Sequence, residues 1–254
     1  MIAIDREHGT ITVDGTTMPI DSAEGFAILS EAWLDAAMRV KQQYTFTWMG
    51  RPVIQFADDL IRLQEIVFRV QPDVIVETGV AHGGSLIFFA SLCKVLGRGR
   101  VIGIDIEIRP HNRAAIEAHP LAPLTTLIEG SSIDPATVSA VKGQLQPGEN
   151  AVVILDSNHA AAHVLAELEA YAPLAGTGSY LIAMDGRGME LAARSARGVA
   201  QNWGSDNPNA AVREFARTHP EFVLEPPPFL FNESVLAEGS TAFRGGVLRR
   251  VAPG

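Results

Sequence analysis

The sequence contains very little cysteine and no long apolar run. With 1 Cys among 254 residues, the chain cannot form an internal disulfide, which is typical of a reducing compartment. The longest apolar stretch, Leu86 to Leu96, is interrupted by Ser91 and Lys94 and is far shorter than the ~20 residues that cross a bilayer. No basic segment precedes an apolar stretch at the N-terminus, so no signal peptide is recognisable. These features predict a cytoplasmic protein without a membrane span.

Basic residues are also scarce. The chain has 20 Lys and Arg residues against 29 Asp and Glu residues, which gives a formal net charge of -9. Surfaces that bind nucleic acid or anionic membranes need an excess of Lys and Arg to displace counterions. The charge balance therefore argues against both partners and favours a small-molecule ligand. The 47% content of hydrophobic residues is typical of a folded globular protein and excludes a disordered chain.

Short, unbroken apolar runs begin after Pro72 and alternate with helical stretches. Strands that are apolar at every position are buried on both faces, as in a parallel sheet flanked by helices. The pattern predicts a doubly wound, Rossmann-like α/β fold with a mostly parallel sheet. The predicted strands are Val74–Val76, Val101–Ile104, Leu124–Ile128, Val152–Leu155 and Tyr180–Ala183.

The segments on either side of this sheet predict smaller elements. Residues 1–43 form a predicted N-terminal appendage, with a β-hairpin over Met1–Pro19 and a helix over Asp21–Gln43, and residues 44–254 form the main domain. A second helix is expected from Asp58, as N-cap, to Val70. The C-terminal part predicts a helix over Ala210–Thr218 and a strand at Phe229–Phe231, and the segment 245–251 closes the chain.

A glycine-rich turn follows the first strand of the predicted sheet. Gly79, Gly83 and Gly84 permit a tight strand-to-helix turn and a close approach of the backbone to a ligand. Their spacing differs from the G-x-G-x-x-G pattern of NAD-binding proteins. Glu77 would repel a pyrophosphate but can pair with an amino group, which favours S-adenosylmethionine. The alternative is a turn that only begins a helix.

Polar side chains also follow the second and third strands. Asp105 is the preferred candidate for binding ribose hydroxyls, ahead of Glu107, because two carboxylate oxygens match a vicinal diol. Both residues are otherwise solvated loop acids. Small hydroxyl residues between Glu129 and Asp134 can line an adenine slot. Alternatively, Ser132 or Asp134 only caps the next helix.

The fourth and fifth strands end in Asp156 and Asp185, with His159 three residues after the first aspartate. Carboxylates from adjacent strand ends are the oxygen ligands that Mg²⁺ prefers. His159 can face the same crevice as a general base, or it can be a structural histidine that caps the following helix. The weaker alternative is a zinc site from His159 and His163, but no further Cys or His lies nearby to complete a tetrahedral set.

Together these motifs resemble the class I S-adenosylmethionine-dependent methyltransferases, and within them the cephalosporin hydroxylase/rhamnosyl O-methyltransferase family. The resemblance extends from about Tyr44 to Val251. The segments that carry it are 48–52, 73–85, 101–105, 129–134, 155–159 and 214–222.

The resemblance implies an O-methyltransferase that acts on a hydroxyl of a sugar, an oligosaccharide or a glycosylated small molecule, and it implies a homodimer or larger homo-oligomer. It assigns Asp156 and Asp185 to Mg²⁺ and His159, with Asp156, to catalysis. The residues expected to bind S-adenosylmethionine are Glu77, Gly79, His82, Gly83, Ser85, Asp105, Ser131, Ser132 and Asp156.

One position departs from the family pattern at the proposed cation site. Met184 stands before Asp185 where family members have a glutamate, and Mg²⁺ does not favour a thioether ligand. A cofactor-binding protein with impaired catalysis therefore remains an alternative, as does a Rossmann-type oxidoreductase with a nucleotide cofactor. Residues 233–244 look like an insertion and are expected to shape a substrate pocket.

Overall fold

A computed structural model describes residues 1–194, 202–227 and 229–252. The N-terminal part forms a three-stranded antiparallel sheet followed by a helix and a two-stranded ribbon. The bounds of these elements are β1 Ile2–Asp5, β2 Thr10–Val13, β3 Thr16–Pro19, α1 Ala23–Val40, β4 Phe46–Trp48 and β5 Arg51–Val53.

The rest of the chain alternates strands and helices and builds the main sheet. Its elements are α2 Ala57–Val70, β6 Val74–Thr78, α3 Gly84–Leu96, β7 Arg100–Asp105, α4 Pro110–Glu117, β8 Thr125–Glu129, α5 Pro135–Lys142, β9 Ala151–Leu155, α6 Ala161–Tyr171, β10 Tyr180–Ala183, α7 Gly186–Ala193, α8 Pro208–Thr218, β11 Phe222–Leu224 and β12 Val247–Arg250.

The main sheet has seven strands in the order β11-β12-β10-β9-β6-β7-β8. The five strands from β6 to β10 pair in parallel, whereas β12 lies antiparallel to both β10 and β11. β6 and β9 are neighbours although two strands lie between them in the chain. The order of strands therefore reverses at β6, and this reversal opens a crevice beyond the carboxyl ends of β6 and β9.

Both faces of the central strands β6, β9 and β10 are buried, which explains their unbroken apolar runs. Ile75 packs with α2 and α3 on one face, while Val74 and Val76 pack with α6 and α8 on the other. A smaller core joins Leu34 of α1 to Leu191 of α7. The doubly wound, mostly parallel fold predicted from the sequence is confirmed. The division at residue 43 stays a prediction.

The predicted N-terminal hairpin is present and is extended by one strand, whereas two other local predictions are wrong. The N-terminal segment adds a third strand to the expected hairpin, since Thr10–Val13 pairs with Thr16–Pro19. Asp58 is not the N-cap of α2, which is Phe56; Asp58 lies in the first turn. Residues 229–231 form no strand, because the antiparallel partner of β12 is β11. Pro228, next to that predicted strand, lies outside the described residues.

None of the helices within the described ranges is both long enough and apolar enough to span a membrane.

Candidate functional site

The turn between β6 and α3 forms the floor of the crevice. Gly79 has φ +94°, and a Cβ atom there would lie 2.2 Å from the backbone oxygen of Asp156. A Cβ atom on Gly84 would lie 2.1 Å from the backbone oxygen of Pro52. Gly83 adopts φ +80° and packs on Ile116. These glycines therefore permit close backbone contacts as well as the turn itself.

Glu77 lies at the centre of the sheet beneath this turn. The residue is 1% exposed, and neither carboxylate oxygen has a hydrogen-bond partner among the described residues. Burial raises the pKa of Glu77 to about 8, and the side chain of Ser85 beside it opposes this shift only in part. A buried carboxyl group without a partner costs free energy, so this position favours a ligand that brings a donor or a positive charge.

Asp105 ends β7 and faces the same turn. Its Oδ2 accepts a hydrogen bond from the backbone N–H of Ala81 at 2.9 Å, and its Oδ1 accepts one from the N–H of Glu107 at 3.2 Å. Asp105 is half-buried, whereas Glu107 is exposed. The structure therefore brings Asp105, rather than Glu107, to the crevice.

Ser131 and Ser132 follow β8 at the far end of the crevice. The Ser132 hydroxyl lies 3.1 Å from Nε2 of His163, and the Ser132 carbonyl accepts a hydrogen bond from the Tyr171 hydroxyl at 2.7 Å. His163 also lies 3.5 Å from Oε1 of Glu167, and a hydrogen bond with Glu167 raises the pKa of His163. Asp134, not Ser132, caps α5 through the N–H of Ala136.

Asp156, His159 and Asp185 converge at the ends of β9 and β10. One ligand atom from each lies within 4.8 Å of the others, and His159 Nε2 lies 3.7 Å from Asp185 Oδ2. Burial, followed by the charge of Asp185, raises the pKa of Asp156. Burial also raises the pKa of Asp185, while His159 opposes this shift. His163 is not part of this group; its ring lies against Ser132 and Glu167 instead.

Met184 points away from these donors. Its side chain is fully buried and packs in the hydrophobic core with Ile182 and Phe243. The thioether therefore fills space in the core. Met184 therefore adds no ligand to the group formed by Asp156, His159 and Asp185.

Two side chains at the start of α2 reach this group and were missed by the sequence analysis. Gln55 donates a hydrogen bond from Nε2 to Oδ2 of Asp156 at 2.8 Å. Asp59 is 0% exposed, and burial followed by the charge of Asp185 raises its pKa. A polar residue just before a helix and an acid in its first turn are usually capping residues, so no local signal distinguished these two.

Two adjoining cavities occupy the crevice. The larger, of about 270 Å³, is lined by Asp105, Ser131, Ser132 and His163 among others; we call it the inner cavity. The smaller, of about 150 Å³, is lined by Tyr44, His82, Ser85, His159 and Asp185 among others; we call it the outer cavity. Gly79, Ala81 and Asp156 line both.

Most of the residues predicted from the sequence therefore lie in one crevice. Glu77 and Gly83 are the exceptions, since they support the turn from below and line neither cavity. His82 faces the outer cavity, and its carbonyl oxygen accepts a hydrogen bond from Nε of Arg51 at 3.0 Å.

The chain is similar to known proteins in family, sequence and fold. The family model Rhamnosyl O-methyltransferase/CmcI matches residues 40–250. The rhamnosyl O-methyltransferase of Mycobacterium leprae (strain TN) is 33% identical over 144 residues, which cover 56% of this chain and 60% of that protein. That of Mycobacterium bovis (strain BCG / Pasteur 1173P2) is 32% identical over 142 residues, 55% of this chain and 56% of that protein. The matched region thus spans little more than half of these relatives.

A solved structure of CmcI with Mg and SAM is similar in fold. It superposes with a TM-score of 0.53 at 24% identity and covers 82% of this chain and 78% of that one. A putative caffeoyl-CoA O-methyltransferase from Staphylococcus aureus has a TM-score of 0.57 at 13% identity, covering 91% and 99%. These likenesses agree with the methyltransferase fold expected from the sequence.

Proposed function

Because the chain belongs to the rhamnosyl O-methyltransferase/CmcI family, we propose that it transfers a methyl group from S-adenosylmethionine to a hydroxyl of a sugar or a glycosylated small molecule. The observation that carries this proposal is the pair of adjoining cavities that share Gly79, Ala81 and Asp156. Methyl transfer is an in-line displacement that needs donor and acceptor held end to end. Two cavities that meet at one wall supply that arrangement.

The inner cavity would bind S-adenosylmethionine. Asp105 would accept hydrogen bonds from the ribose hydroxyls, and Ser131 and Ser132 would flank the adenine. The turn that begins at Gly79 would hold the methionine end, and the carboxyl group of Glu77, buried beneath that turn, would favour an ammonium group there by its charge.

Asp156 and Asp185 would hold a divalent cation at the wall between the cavities. The two carboxylates belong to a group whose ligand atoms lie within 4.8 Å of one another, which fits such an ion, and water would fill the remaining positions of Mg²⁺. A bound cation of this kind lowers the pKa of a hydroxyl group that it contacts. The raised pKa values of both aspartates in the free protein agree with a site that favours positive charge.

His159 would accept the proton of the acceptor hydroxyl as that oxygen bonds to the methyl carbon and the carbon–sulfur bond of S-adenosylmethionine breaks, with S-adenosylhomocysteine as the leaving group. The ring is 32% exposed and lies beside Asp185, so it faces the outer cavity and is still reached by solvent. Its neighbour Asp185 would stabilise the imidazolium that forms.

A second candidate function is cofactor binding with impaired catalysis. The burial of Met184 in the core favours it, because the side chain that replaces the family glutamate supplies no ligand. The rate of methyl transfer, measured with and without EDTA, separates an active methyltransferase from a cofactor-binding protein with impaired catalysis. Full methyl transfer in EDTA would show that the cation is dispensable.

The proposal is tested by methyl transfer from radiolabelled S-adenosylmethionine to simple rhamnosides, oligosaccharides and glycosylated antibiotics. We expect label in at least one glycoside. Replacement of the base in His159→Ala should lower that rate by about 10²–10⁴-fold and leave the affinity for S-adenosylhomocysteine nearly unchanged. His111→Ala, at an exposed position of α4, is the matched control. Equal rates in the two variants would contradict the assigned role of His159.

We further propose that the chain works as a homodimer or larger homo-oligomer in the cytoplasm. Exposed apolar side chains in its N-terminal part, including Ile4, Trp33 and Tyr44, supply surface that a second copy would cover.

A further inference from the structure

Two buried polar side chains near the start of α2 are linked to the residues of the proposed cation site. Gln55 is 5% exposed and Asp59 is 0% exposed. Gln55 lies just before the N-cap Phe56 and Asp59 lies in the first turn of α2, and both precede the strands that carry Asp156 and Asp185. Neither follows a strand of the main sheet.

Gln55 acts directly on the first of these aspartates. Its amide Nε2 donates to Oδ2 of Asp156 at 2.8 Å, so one carboxylate oxygen is held while the other stays available. An amide does not ionise and adds no charge to the site. The contact therefore sets the orientation of the carboxylate group without competing for a cation.

Asp59 reaches the second aspartate through the backbone. Its Oδ1 accepts the N–H of Ala242 at 3.0 Å. The carbonyl oxygen of Ala242 in turn accepts the N–H groups of Arg187 at 2.8 Å and Gly188 at 3.2 Å. These two residues form the first turn of α7, directly after Asp185.

Asp185 needs such support because of its backbone conformation. It has φ +63°, in the left-handed region that costs a residue with a side chain roughly 1–2 kcal/mol. Such conformations persist where the surrounding structure holds them. The link from Asp59 through Ala242 ties the helix that follows Asp185 to α2, which is anchored against the main sheet.

We propose that Gln55 and Asp59 are positioning residues that set the two aspartates for cation binding, Gln55 by direct contact and Asp59 through Ala242. The inference rests on the proposed function, since it requires a cation between Asp156 and Asp185. Partners that orient metal ligands typically contribute 10–100-fold to metal affinity. The start of α2 would thus belong to the site although it touches neither cofactor nor acceptor.

The test is a titration of the full-length protein with Mn²⁺, followed by the electron paramagnetic resonance signal of the free ion. Gln55→Met keeps the length of the side chain but removes the donor, and Asp59→Ala removes the acceptor. We expect each to weaken Mn²⁺ binding about 10–100-fold. The matched controls Gln64→Met and Asp58→Ala, on the same helix, should stay within about twofold of the parent.

Two further measurements separate positioning from loss of structure. Affinity for S-adenosylhomocysteine should be unchanged in Gln55→Met, whereas a collapsed crevice would lose both ligands. Asp59→Asn keeps an acceptor for Ala242 and should restore most of the Mn²⁺ affinity. If Asp59→Ala does not fold, Gln55→Met and Asp59→Asn decide the question.

Mn²⁺ affinities of Gln55→Met and Asp59→Ala that equal the parent value would overturn the inference. So would an Asp59→Asn variant as weak as Asp59→Ala, because the hydrogen bond to Ala242 would then not be the cause. A parent protein that binds no Mn²⁺ overturns the inference and the cation part of the proposed function. In that case methyl transfer in EDTA shows whether the rest of the proposed function stands.

Discussion

Glu77 is a buried carboxyl group at the centre of the sheet, and its protonation links folding to pH. Burial raises its pKa to about 8, against about 4.3 for an ordinary glutamate. Because the pKa is higher in the folded state, the stabilising contribution of the protonated form is complete below pH ~4.3 and is lost progressively as the pH rises to about 8. Ionisation of Glu77 therefore opposes folding of the ligand-free protein at alkaline pH.

Glu77→Gln should remove this pH dependence. The free energy of unfolding of the variant, relative to the parent, should increase between pH 5 and pH 8 and level off above pH 8. The total increase should not exceed ~1.4 kcal/mol for each unit by which folding raises the pKa of Glu77. Urea denaturation at several pH values measures it. A difference between variant and parent that is constant with pH would contradict the burial of an ionisable Glu77.

Asp105 either binds the ribose hydroxyls of the cofactor or is a solvated acid in a loop, and substitution of its side chain distinguishes the two. Asp105→Ala should weaken binding of S-adenosylhomocysteine by about 1.5–3 kcal/mol, since the ribose hydroxyls lose a charged acceptor. Glu107→Ala is the control, because Glu107 is an exposed acid two residues away. Calorimetry that finds both variants equal to the parent would remove Asp105 from the proposed site.

At the scale of elements, the turn between β6 and α3 depends on contact between two strand ends. Gly79→Ala would place a Cβ atom 2.2 Å from the backbone oxygen of Asp156 and strain a residue with φ +94°. Gly148 has a similar φ of +89° but nothing within 4 Å of its Cβ position. Gly148→Ala therefore carries only the conformational cost, about 1–2 kcal/mol.

We expect Gly79→Ala to lower the free energy of unfolding by clearly more than Gly148→Ala and to abolish binding of S-adenosylhomocysteine. Denaturant unfolding and calorimetry on the two variants measure both effects. Equal destabilisation by the two substitutions would mean that β6 and β9 do not meet as tightly as the structure describes.

At the scale of the whole molecule, cofactor binding should stabilise the fold. A ligand that binds only the folded state adds RT ln(1 + [L]/Kd), about 2.7 kcal/mol at a hundredfold excess over Kd. S-adenosylhomocysteine should therefore raise the melting temperature, and NAD should not, because the glycine spacing lacks the dinucleotide pattern. A thermal shift with NAD alone would favour the oxidoreductase alternative.

Light scattering in the same buffer should give a mass above the 27.2 kDa of one chain.

The sequence by itself determined the strands of the parallel sheet and the polar residues at their ends. Val74–Val76 and Val152–Leu155 are apolar at every position because both faces of the sheet are covered, and this pattern is local. Residues at the carboxyl ends of parallel strands share one edge, so Asp105, Asp156 and Asp185 could be assigned to a single crevice from spacing alone. The family motifs are carried by the same local segments.

Only the tertiary structure decided which other side chains join that crevice. Gln55 contacts Asp156 across 101 residues of chain, and Asp59 contacts Ala242 across 183 residues. Such bonds leave no periodic or spacing signal, because each partner is locally indistinguishable from a capping or surface residue. The direction of Met184 and the pairing of β12 with β11 depended likewise on packing. Burial of the whole sheet, rather than any single motif, sets the electrostatics of Glu77 and Asp156.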